Sequence, residues 1–435
     1  MKNKFEDFKN KKVLIWGLGL HNGGLGATKF FHKIGAKVTV TDLRSELILK
    51  PTLVKLKNYS NIKYVLGKHD EKDFLNADLV IVNPAITPNN KFLKLLKKNK
   101  INYITDMGFF LKHSKSFILG ITGTKGKSTI TQLSYNLLNE AVKNKQIKDF
   151  KKVVLGGNIR RSILDFLSTD NEKTISVIEL SSFQLEHCKN VKKSPNIAIL
   201  TNLSPEHINW HGTYDNYIKS KSYVYKFQTK DDYLIVDNRI DLKDNKPQSK
   251  IIKAKSDPLA MLKEVAKIFN LKTELAQKTF NEFKGLPGRL ETLGTVNGIT
   301  FINDTFSTHP LSIVHALNKV KDPVLIMGGV DKQFDLTEIT KTLMNKKTRV
   351  VFLPGTFTDN LQKLLKPSYL NKYTINSENM EDAFKKSLTL CKKNDILLLS
   401  PGAASFNLFL NEVDRGEHYI KCFKKYKKQH GKHRN

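Results

Sequence analysis

Short apolar runs alternate with amphipathic stretches along the 435-residue chain. In the first part of the chain they predict strands at residues 13–16, 37–41 and 77–82, with a glycine-rich turn and a helical pattern after the first strand. Strand, glycine-rich turn, helix and strand in this order predict a doubly wound parallel sheet. Because ligands bind beyond the carboxyl ends of the strands in such sheets, we expect functional residues at those ends.

The same alternation occurs twice more. From residue 116 onward it predicts strands at residues 117–122, 153–155, 175–180, 197–201 and 233–236, and a helix at 129–141. Beyond Gly285-Leu-Pro287 it predicts strands at residues 300–302, 323–327, 350–353 and 396–399. At about 150 residues per domain, a chain of this length holds roughly three domains. We therefore predict an α/β protein with domains at residues 1–113, 114–286 and 287–435.

The charge balance is strongly basic, with 73 Lys and Arg residues against 41 Asp and Glu residues and a net charge of +32. The three predicted domains carry +12, +11 and +9, so the excess is spread almost evenly. A nucleic-acid-binding module concentrates its charge on one face and favours Arg. The even spread indicates a lysine-rich surface, and we predict no nucleic-acid partner.

Cysteine usage and hydropathy indicate the compartment. The three cysteines, at positions 188, 391 and 422, are far apart and have neither a disulfide-framework spacing nor a metal-site spacing. The charged N-terminal segment lacks the apolar core of a signal peptide. No run of about 18 apolar residues occurs, so we predict no membrane span and a cytoplasmic protein.

The strongest local motif is Gly120-Ile-Thr-Gly-Thr-Lys-Gly-Lys-Ser-Thr129, which runs from a predicted strand into a predicted helix. Glycines let the backbone approach phosphates closely, and the helix N-terminus offers free N–H groups and a partial positive charge. Lys127 can reach the β- and γ-phosphates of a nucleotide, and the Ser128 hydroxyl can bind Mg²⁺. Because Ile121 stands where the common form G-x4-G-K-[ST] has glycine, the motif is a variant of that phosphate-binding loop.

Polar residues follow other predicted strands. A carboxylate at Glu179 could coordinate Mg²⁺, and His207 comes shortly after the strand at 197–201. Taken alone, His207 and Lys221 are more simply explained as structural and surface residues. The loop Gly17-Leu-Gly-Leu-His-Asn-Gly23 does not fit the dinucleotide pattern G-x-G-x-x-G, because Asn occupies position 22. Asp42, after the second strand, could bond a ribose or a base.

Together these motifs resemble the Mur ligase family over essentially the whole chain. The segments that carry the resemblance are Gly17-Leu-Gly-Leu20, the phosphate-binding loop at 120–129, Gly156-Gly-Asn-Ile159, Glu179-Leu-Ser-Ser-Phe-Gln-Leu-Glu186, Gly285-Leu-Pro-Gly-Arg289, Asn303-Asp304 and Ser400-Pro-Gly-Ala-Ala-Ser405. Their order and spacing fit the family throughout. The segment 179–186 is the most typical of the branch that adds D-glutamate.

The resemblance implies three α/β domains: a Rossmann-like domain for a uridine nucleotide, a central P-loop-type ATPase domain with a mainly parallel sheet, and a C-terminal domain similar to a dinucleotide-binding fold. It also implies an ATP-dependent amide ligase that adds D-glutamate to UDP-N-acetylmuramoyl-L-alanine through an acyl phosphate, in peptidoglycan precursor synthesis. The implied partners are these two small molecules and ATP, and we expect a monomer.

Motif by motif, the resemblance implies roles for individual residues. Catalysis falls to Lys127, Glu179, His207 and Lys221. ATP binding falls to Gly123, Thr124, Lys125, Gly126, Lys127, Ser128, Thr129, Arg289 and Asp304. Binding of the UDP-substrate is assigned to Leu20, Asp42, Arg44, Asn83 and Asn158. Binding of the incoming amino acid is assigned to Lys332, Ser405 and Phe406.

Two Mg²⁺ ions are implied as cofactors, with Ser128, Glu179, His207 and a modified Lys221 as their ligands. The segment Tyr217-Ile-Lys-Ser-Lys221 is similar to the family segment that holds a carbamylated lysine, which points to Lys221 rather than Lys219. Carbamylation turns a cation into an anionic oxygen ligand, which suits Mg²⁺ far better than an ammonium does.

The sequence departs from the family pattern in three places. Phe306 stands where a basic residue is usual, and Gly288 stands where a His often precedes the Arg. The segment 255–260 lacks the Asn-rich start of the adenine-contacting helix. Two alternatives stay open: a sister Mur ligase with a different amino-acid acceptor, and a nucleic-acid-binding NTPase.

Overall fold

The first domain is built on five parallel strands whose apolar side chains are buried. The elements are β1 (Lys12–Trp16), α1 (Asn22–Lys33), β2 (Lys37–Asp42), α2 (Glu46–Leu53), β3 (Lys63–Leu66), α3 (Glu71–Leu75), β4 (Leu79–Val82), α4 (Lys91–Lys98), β5 (Tyr103–Ile104) and α5 (Asp106–His113). The sheet order is β3-β2-β1-β4-β5, and every neighbouring pair is parallel. This computed structural model describes residues 4–20, 22–158, 162–242, 246–405 and 407–430.

The central domain adds six parallel strands. Its elements are β6 (Phe117–Thr122), α6 (Lys127–Lys143), β7 (Lys152–Gly157), α7 (Leu164–Leu167), β8 (Thr174–Glu179), α8 (Ser182–Cys188), β9 (Ile197–Leu200), α9 (Ile208–His211), α10 (Tyr214–Ser222), β10 (Tyr233–Asp237), β11 (Lys250–Ala254), α11 (Pro258–Ile268) and α12 (Thr273–Asn281). The order is β11-β10-β9-β6-β8-β7, so β6 lies inside the sheet between β9 and β8. The carboxyl ends of these three strands therefore meet at one edge.

The third domain has a mixed sheet. Its elements are β12 (Glu291–Val296), β13 (Ile299–Asn303), α13 (Pro310–Lys319), β14 (Val324–Gly328), α14 (Thr337–Lys346), β15 (Arg349–Leu353), α15 (Thr356–Gln362), α16 (Pro367–Tyr373), β16 (Thr374–Asn376), α17 (Met380–Leu390), β17 (Ile396–Leu399) and α18 (Glu412–His430). The order is β12-β13-β17-β14-β15-β16. Among the named strands of the described residues, the β12–β13 pair alone is antiparallel, as expected for a short hairpin connection.

The chain forms two compact units, which divide between Phe283 and Lys284. The first unit holds the first two sheets, because one apolar core takes side chains from both: Phe31 and Phe109 from the first domain lie in the same cluster as Ile178 from β8. The second unit contains the third sheet and has its own core. The predicted boundary at 113/114 thus falls inside one compact unit and stays a prediction.

The α/β fold predicted from the sequence is confirmed, and β6 and β17 have the predicted bounds. Five strands were not predicted: β3, β5, β11, β12 and β16. Each of them lies at the edge of its sheet. Edge strands keep one side open to solvent and are short or polar, as in β11 with its two exposed lysines, so they lack the continuous apolar run that marks a buried strand.

Candidate functional site

The phosphate-binding loop connects β6 to α6 at the carboxyl end of the central sheet. Gly123 and Gly126 have φ angles of +148° and +82°, which side chains rarely allow. A Cβ atom on Gly123 would overlap the hydroxyl of Thr201, so this position requires glycine. The segment after β9 holds the loop, because the backbone N–H of Thr124 donates to the Asn202 carbonyl at 3.0 Å. The loop therefore has a fixed shape above the start of α6.

Two lysines donate to one carbonyl of this loop. Lys127 Nζ lies 2.9 Å from the Gly123 oxygen and 2.8 Å from the Thr124 oxygen, and Lys221 Nζ lies 2.7 Å from the same Gly123 oxygen. Lys221, near the end of α10, is only 2% exposed and its ammonium lies 4.7 Å from the centre of the Tyr217 ring. Burial, and then the charge of Lys127, lower the pKa of Lys221 well below its ordinary value.

Glu179 has a buried carboxylate oxygen that is not satisfied within the described part of the chain. The residue ends β8 and is 2% exposed. One oxygen, Oε1, accepts a hydrogen bond from Asn158 Nδ2 at 2.9 Å, whereas Oε2 has no hydrogen-bond partner. Burying a carboxylate oxygen without a partner is costly, and a divalent cation is one group that offsets the cost.

The oxygen donors at this site could bind a magnesium ion, although they do not form a cluster of His, Cys, Asp or Glu side chains. Within the described ranges no three His, Cys, Asp or Glu residues are grouped as a metal site. The available groups are the carboxylate of Glu179, the hydroxyl of Ser128 in the first turn of α6, and Lys221 if it carries a carboxylate. Such a set is compatible with Mg²⁺, which keeps several waters and takes few protein ligands.

His207 stands in the left-handed region with φ of +56°, at the residue before α9. Its Nε2 lies 3.7 Å from a carboxylate oxygen of Glu206, and its ring centre lies 4.8 Å from that of Phe183. Glu206 also raises the pKa of Lys221 and so opposes the effect of burial. Sequence reasoning did not single out Glu206, although it lies next to His207 in the same segment.

His211, a buried histidine that sequence reasoning did not single out, contacts Ser220, the residue before Lys221. The Ser220 hydroxyl donates to Glu186 Oε2 at 2.7 Å, so His211 Nδ1, at 3.2 Å, is the donor to the Ser220 oxygen. His211 Nε2 is then the acceptor for the Ser182 hydroxyl at 3.0 Å. Burial lowers the pKa of His211 to about 4. The histidine is therefore neutral and ties α8, α9 and α10 together.

Residues expected at the UDP-substrate surround the glycine-rich loop of the first domain. Asp42 ends β2 and is 3% exposed; its carboxylate accepts from the backbone N–H groups of Gly19 and Arg44, both at 2.9 Å. The exposed guanidinium of Arg44 lies 3.4 Å from the same carboxylate. Leu20 is half-buried at the end of this loop. Asp42 thus fixes the loop and holds the Arg44 side chain at its edge.

The other two expected UDP-substrate residues lie apart in the chain. Asn83 follows β4 and leans on the glycine-rich loop, because its Nδ2 donates to the Gly17 carbonyl at 3.3 Å. Asn158 follows β7 in the central domain, where it contacts Glu179. The structure thus places Asn83 with Leu20 and Asp42, and Asn158 at the carboxyl end of the central sheet.

In the C-terminal unit, Asp304 is engaged by internal donors. Its carboxylate accepts from the Leu290 N–H at 3.0 Å, from the Ser400 hydroxyl at 2.8 Å and from Ser307. Burial raises the pKa of Asp304, and the two hydroxyl hydrogen bonds offset part of the rise. Asp304 therefore braces the segment next to Arg289, whose side chain is exposed.

The departures at Gly288 and Phe306 fit each other. Gly288 has φ of +71°, and a Cβ atom there would lie 2.7 Å from the Phe306 ring. The backbone N–H of Phe306 donates to the Gly288 carbonyl at 3.1 Å. The guanidinium of Arg289 lies 5.7 Å from the centre of the Phe306 ring, within cation–π range. The aromatic ring occupies space that a larger residue 288 would need, and it supports the arginine.

The residues expected at the amino acid lie on two loops that pair with each other. Val330 and Ala404 exchange two backbone hydrogen bonds of 2.9 and 3.0 Å, which bring the loop of Lys332 beside that of Ser405. Lys332 is exposed, and Ser405 is 1% exposed with a hydroxyl that lacks a partner among the described residues. Phe406 lies outside the described residues.

Family profiles match three consecutive stretches of the chain. They are the Mur ligase MurD-like N-terminal domain at residues 11–105, the Mur ligase middle domain at 121–297 and the Mur ligase glutamate ligase domain at 288–402. The UDP-N-acetylmuramoylalanine–D-glutamate ligase of Borreliella burgdorferi (strain ZS7) is 34% identical over 94% of this chain and 97% of its own. The protein of that name from Roseiflexus sp. (strain RS-1) is 31% identical over 94% and 97%.

The sheet order and the phosphate-binding loop with its basic residues define a nucleotide-dependent enzyme of the doubly wound α/β class. The chain belongs to the Mur ligase family, as its motifs predicted. Solved structures agree on the fold. The MurF ligase of Thermotoga maritima aligns with a TM-score of 0.52 and 15% identity over 99% of this chain and 97% of its own. A MurF structure from Acinetobacter baumannii gives 0.55 and 11% over 98% and 92%.

Proposed function

We propose that the chain is an ATP-dependent ligase that joins D-glutamate to the alanyl carboxylate of UDP-N-acetylmuramoyl-L-alanine. The names of relatives at 31–34% identity over nearly the full length support both substrates. The observation that carries the reaction type is the pair of lysines, Lys127 and Lys221, on the Gly123 carbonyl. This arrangement places a cation and a modifiable amine at a phosphate-binding loop within electrostatic reach of Glu179.

The amide forms in two steps. The alanyl carboxylate attacks the γ-phosphorus of ATP in line, ADP leaves, and an acyl phosphate results. The amine of D-glutamate then attacks the acyl carbon, and the tetrahedral intermediate collapses to the amide and inorganic phosphate. The N–H groups at the start of α6 and the Lys127 ammonium stabilise the charge on the phosphoryl oxygens.

Lys221 carries a carbamate in the active enzyme. Burial lowers the pKa of Lys221 and so favours the neutral form of Nζ, whose lone pair forms a bond to the carbon of CO₂ while one proton is released. The resulting carboxylate, Glu179, Ser128 and His207 would hold two Mg²⁺ ions. When bound, the ions would neutralise charge on the transferring phosphoryl group.

The C-terminal unit supplies groups for the incoming amino acid and for ATP. The Ser405 hydroxyl and the Lys332 ammonium bind the carboxylates of D-glutamate. Arg289, supported by the Phe306 ring, contacts the ATP phosphates. A guanidinium on an aromatic face is pre-oriented, so the Phe306 ring helps to hold Arg289 in position for this contact.

The chain acts as a cytoplasmic monomer without nucleic acid. The even spread of charge over the chain supports the absence of a polyanion site. Among the described residues, every helix is too short or too polar to cross a membrane. Size-exclusion chromatography with light scattering tests the monomer, and a filter-binding titration with DNA and RNA at physiological salt tests the nucleic-acid claim.

The direct test is an omission assay of phosphate release. The complete mixture contains UDP-N-acetylmuramoyl-L-alanine, ATP, Mg²⁺ and D-glutamate, and each component is left out in turn. We expect release only from the complete mixture, because the acyl phosphate needs both the nucleotide substrate and the amine to turn over. Release that is stimulated by DNA or RNA, or that needs no amino acid, would contradict the proposal.

A further inference from the structure

Two central-domain side chains hold a loop of the first domain. The loop of residues 83–86, which follows β4, presents two consecutive carbonyls to α8 and α9. Trp210 Nε1 donates to the Ala85 carbonyl at 3.2 Å, and His187 Nε2 lies 2.9 Å from the Ile86 carbonyl. Because a carbonyl only accepts hydrogen bonds, His187 must carry its proton on Nε2. Both tethers lie within the first compact unit.

The tethered loop is packed against the glycine-rich loop after β1. Besides the bond from Asn83 Nδ2 to the Gly17 carbonyl, the Asn83 backbone N–H donates to the Trp16 carbonyl at 2.9 Å. A Cβ atom on Gly17, which has φ of +95°, would lie 2.7 Å from Asn83 Cβ, so there is no space between the two segments. A displacement of the 83–86 loop would therefore also displace the glycine-rich loop.

The other end of the tether reaches the catalytic elements. Trp210 lies in α9, where its ring centre is 4.9 Å from that of Phe183 and 4.5 Å from that of His211. His211 bonds Ser182 in α8 and Ser220 in α10, and Ser220 precedes Lys221. A continuous set of contacts thus joins the 83–86 loop to the helix that carries Lys221.

We propose that Trp210 and His187 are positioning residues that hold the 83–86 loop in register with α8 and α10, so that the bound UDP-substrate presents its alanyl carboxylate to the phosphate-binding loop. The inference rests on the proposed function, because it assumes that the first domain binds the UDP-substrate. Neither side chain touches the reacting atoms; each acts through the backbone of the loop. We expect positioning of this kind to act mainly on the affinity and alignment of the substrate that the loop holds.

The test uses three variants of the full chain. Trp210→Phe keeps an aromatic ring and removes the N–H donor, His187→Leu removes the second donor, and His187→Gln keeps an N–H donor. We expect Trp210→Phe and His187→Leu each to raise KM for UDP-N-acetylmuramoyl-L-alanine about threefold to tenfold, the factor for one lost neutral hydrogen bond. KM for ATP should stay within about twofold, and His187→Gln should lie close to the wild type.

Two further measurements separate positioning from general damage. Calorimetric titration of the UDP-substrate without ATP should show the same loss of affinity in the two donor-deleted variants. Tyr369→Phe is the matched control: it removes one hydrogen bond from an aromatic side chain to the Thr348 carbonyl, at 2.6 Å, in the C-terminal unit. We expect this control to leave KM and affinity for the UDP-substrate unchanged.

The outcomes distinguish the inference from the proposed function. If the wild-type protein is active, two results would overturn the positioning role. One is unchanged KM and affinity for the UDP-substrate in Trp210→Phe and His187→Leu. The other is an equal increase in KM for all three substrates together with a lower Tm. Wild-type protein that neither binds the UDP-substrate nor releases phosphate would overturn the proposed function, and the inference with it.

Discussion

Lys221 is the residue in which burial most changes the chemistry. An ammonium that is 2% exposed and shares the Gly123 carbonyl with Lys127 is held in an unfavourable charge state. The lowered pKa of Lys221 increases the fraction of neutral amine, and a neutral amine is the form that reacts with CO₂. The environment of the side chain therefore favours the modification that the proposed reaction needs.

The modification can be tested against a neighbouring lysine. With carbon-13-labelled bicarbonate, we expect a carbamate NMR signal from the wild type and from Lys219→Arg, and none from Lys221→Arg. Lys219 lies on the same helix, is less buried than Lys221 and serves as the control. Activity of Lys221→Arg should fall on the order of a hundredfold or more, because charge stabilisation in the transition state is lost. A signal that disappears in Lys219→Arg would contradict the assignment.

His211 should make stability depend on pH. Its pKa is about 4 in the folded protein and 6.5 in the unfolded chain, so the unfolded chain takes up the proton first as the pH falls. The contribution of the neutral histidine is therefore complete above about pH 6.5 and is lost progressively toward pH 4. Urea unfolding at pH 7.5 and pH 5 should show a smaller loss of unfolding free energy in His211→Gln than in the wild type. Equal losses in both proteins would contradict the burial of a neutral His211.

At the residue scale, sequence reasoning found residues that belong to motifs and missed those that do not. Lys127 follows β6 and Glu179 ends β8, each in a recognisable segment, and both lie at the carboxyl edge of the central sheet. His211 and Trp210 carry no spacing signal, because their partners lie on three separate segments, namely α8, α10 and the 83–86 loop. Only the three-dimensional structure brings these partners together.

Among the elements, the turn between β6 and α6 places the strictest demands on its sequence. Gly123→Ala would add a Cβ atom that overlaps Thr201, whereas the space around Gly126 is open. At Gly126 only the left-handed backbone opposes a side chain, so Gly126→Ala should lower the unfolding free energy by about 1 kcal/mol. Gly123→Ala should lower it by about 3 kcal/mol, because strain and overlap add. Chemical unfolding of the two variants measures the difference, and a larger loss in Gly126→Ala would contradict this account of the loop.

Buried strands were predictable from the sequence, whereas of the six edge strands described here only β7 was predicted. β6 and β8 are buried along nearly their whole length, so their apolar runs are continuous. In β3 two residues are exposed and two are half-buried, so the run Lys63-Tyr-Val-Leu66 gives no clear alternation. The sequence therefore indicates the central strands of each sheet, whereas most edge strands form through pairing with a neighbouring strand.

For the whole molecule, the division between Phe283 and Lys284 predicts separate folding. The C-terminal unit has its own six-stranded sheet and two apolar clusters, including Phe301 and Phe352. At about 150 residues a single domain buries enough surface to be stable alone. A fragment of residues 284–435 should show a cooperative thermal transition by circular dichroism. A fragment without such a transition would contradict the independence of this unit.

The net charge of +32 has a modest role in the proposed function. The proposed reaction would use only a few cations, among them Lys127, Arg289 and Lys332, and Lys221 would lose its positive charge as a carbamate. The remaining lysines raise the local concentration of anionic substrates, an effect that weakens with salt. The basic composition therefore fits small anionic substrates as well as it fits a polymer.

The amino acid that the enzyme accepts is the most direct test of the account. Phosphate release from ATP and UDP-N-acetylmuramoyl-L-alanine is measured with D-glutamate, L-glutamate, L-alanine and a diamino acid in parallel. The account predicts release with D-glutamate alone, together with a product that contains one glutamyl residue by mass spectrometry. Release with another amino acid and none with D-glutamate would contradict it and would assign the chain to a different branch of the family.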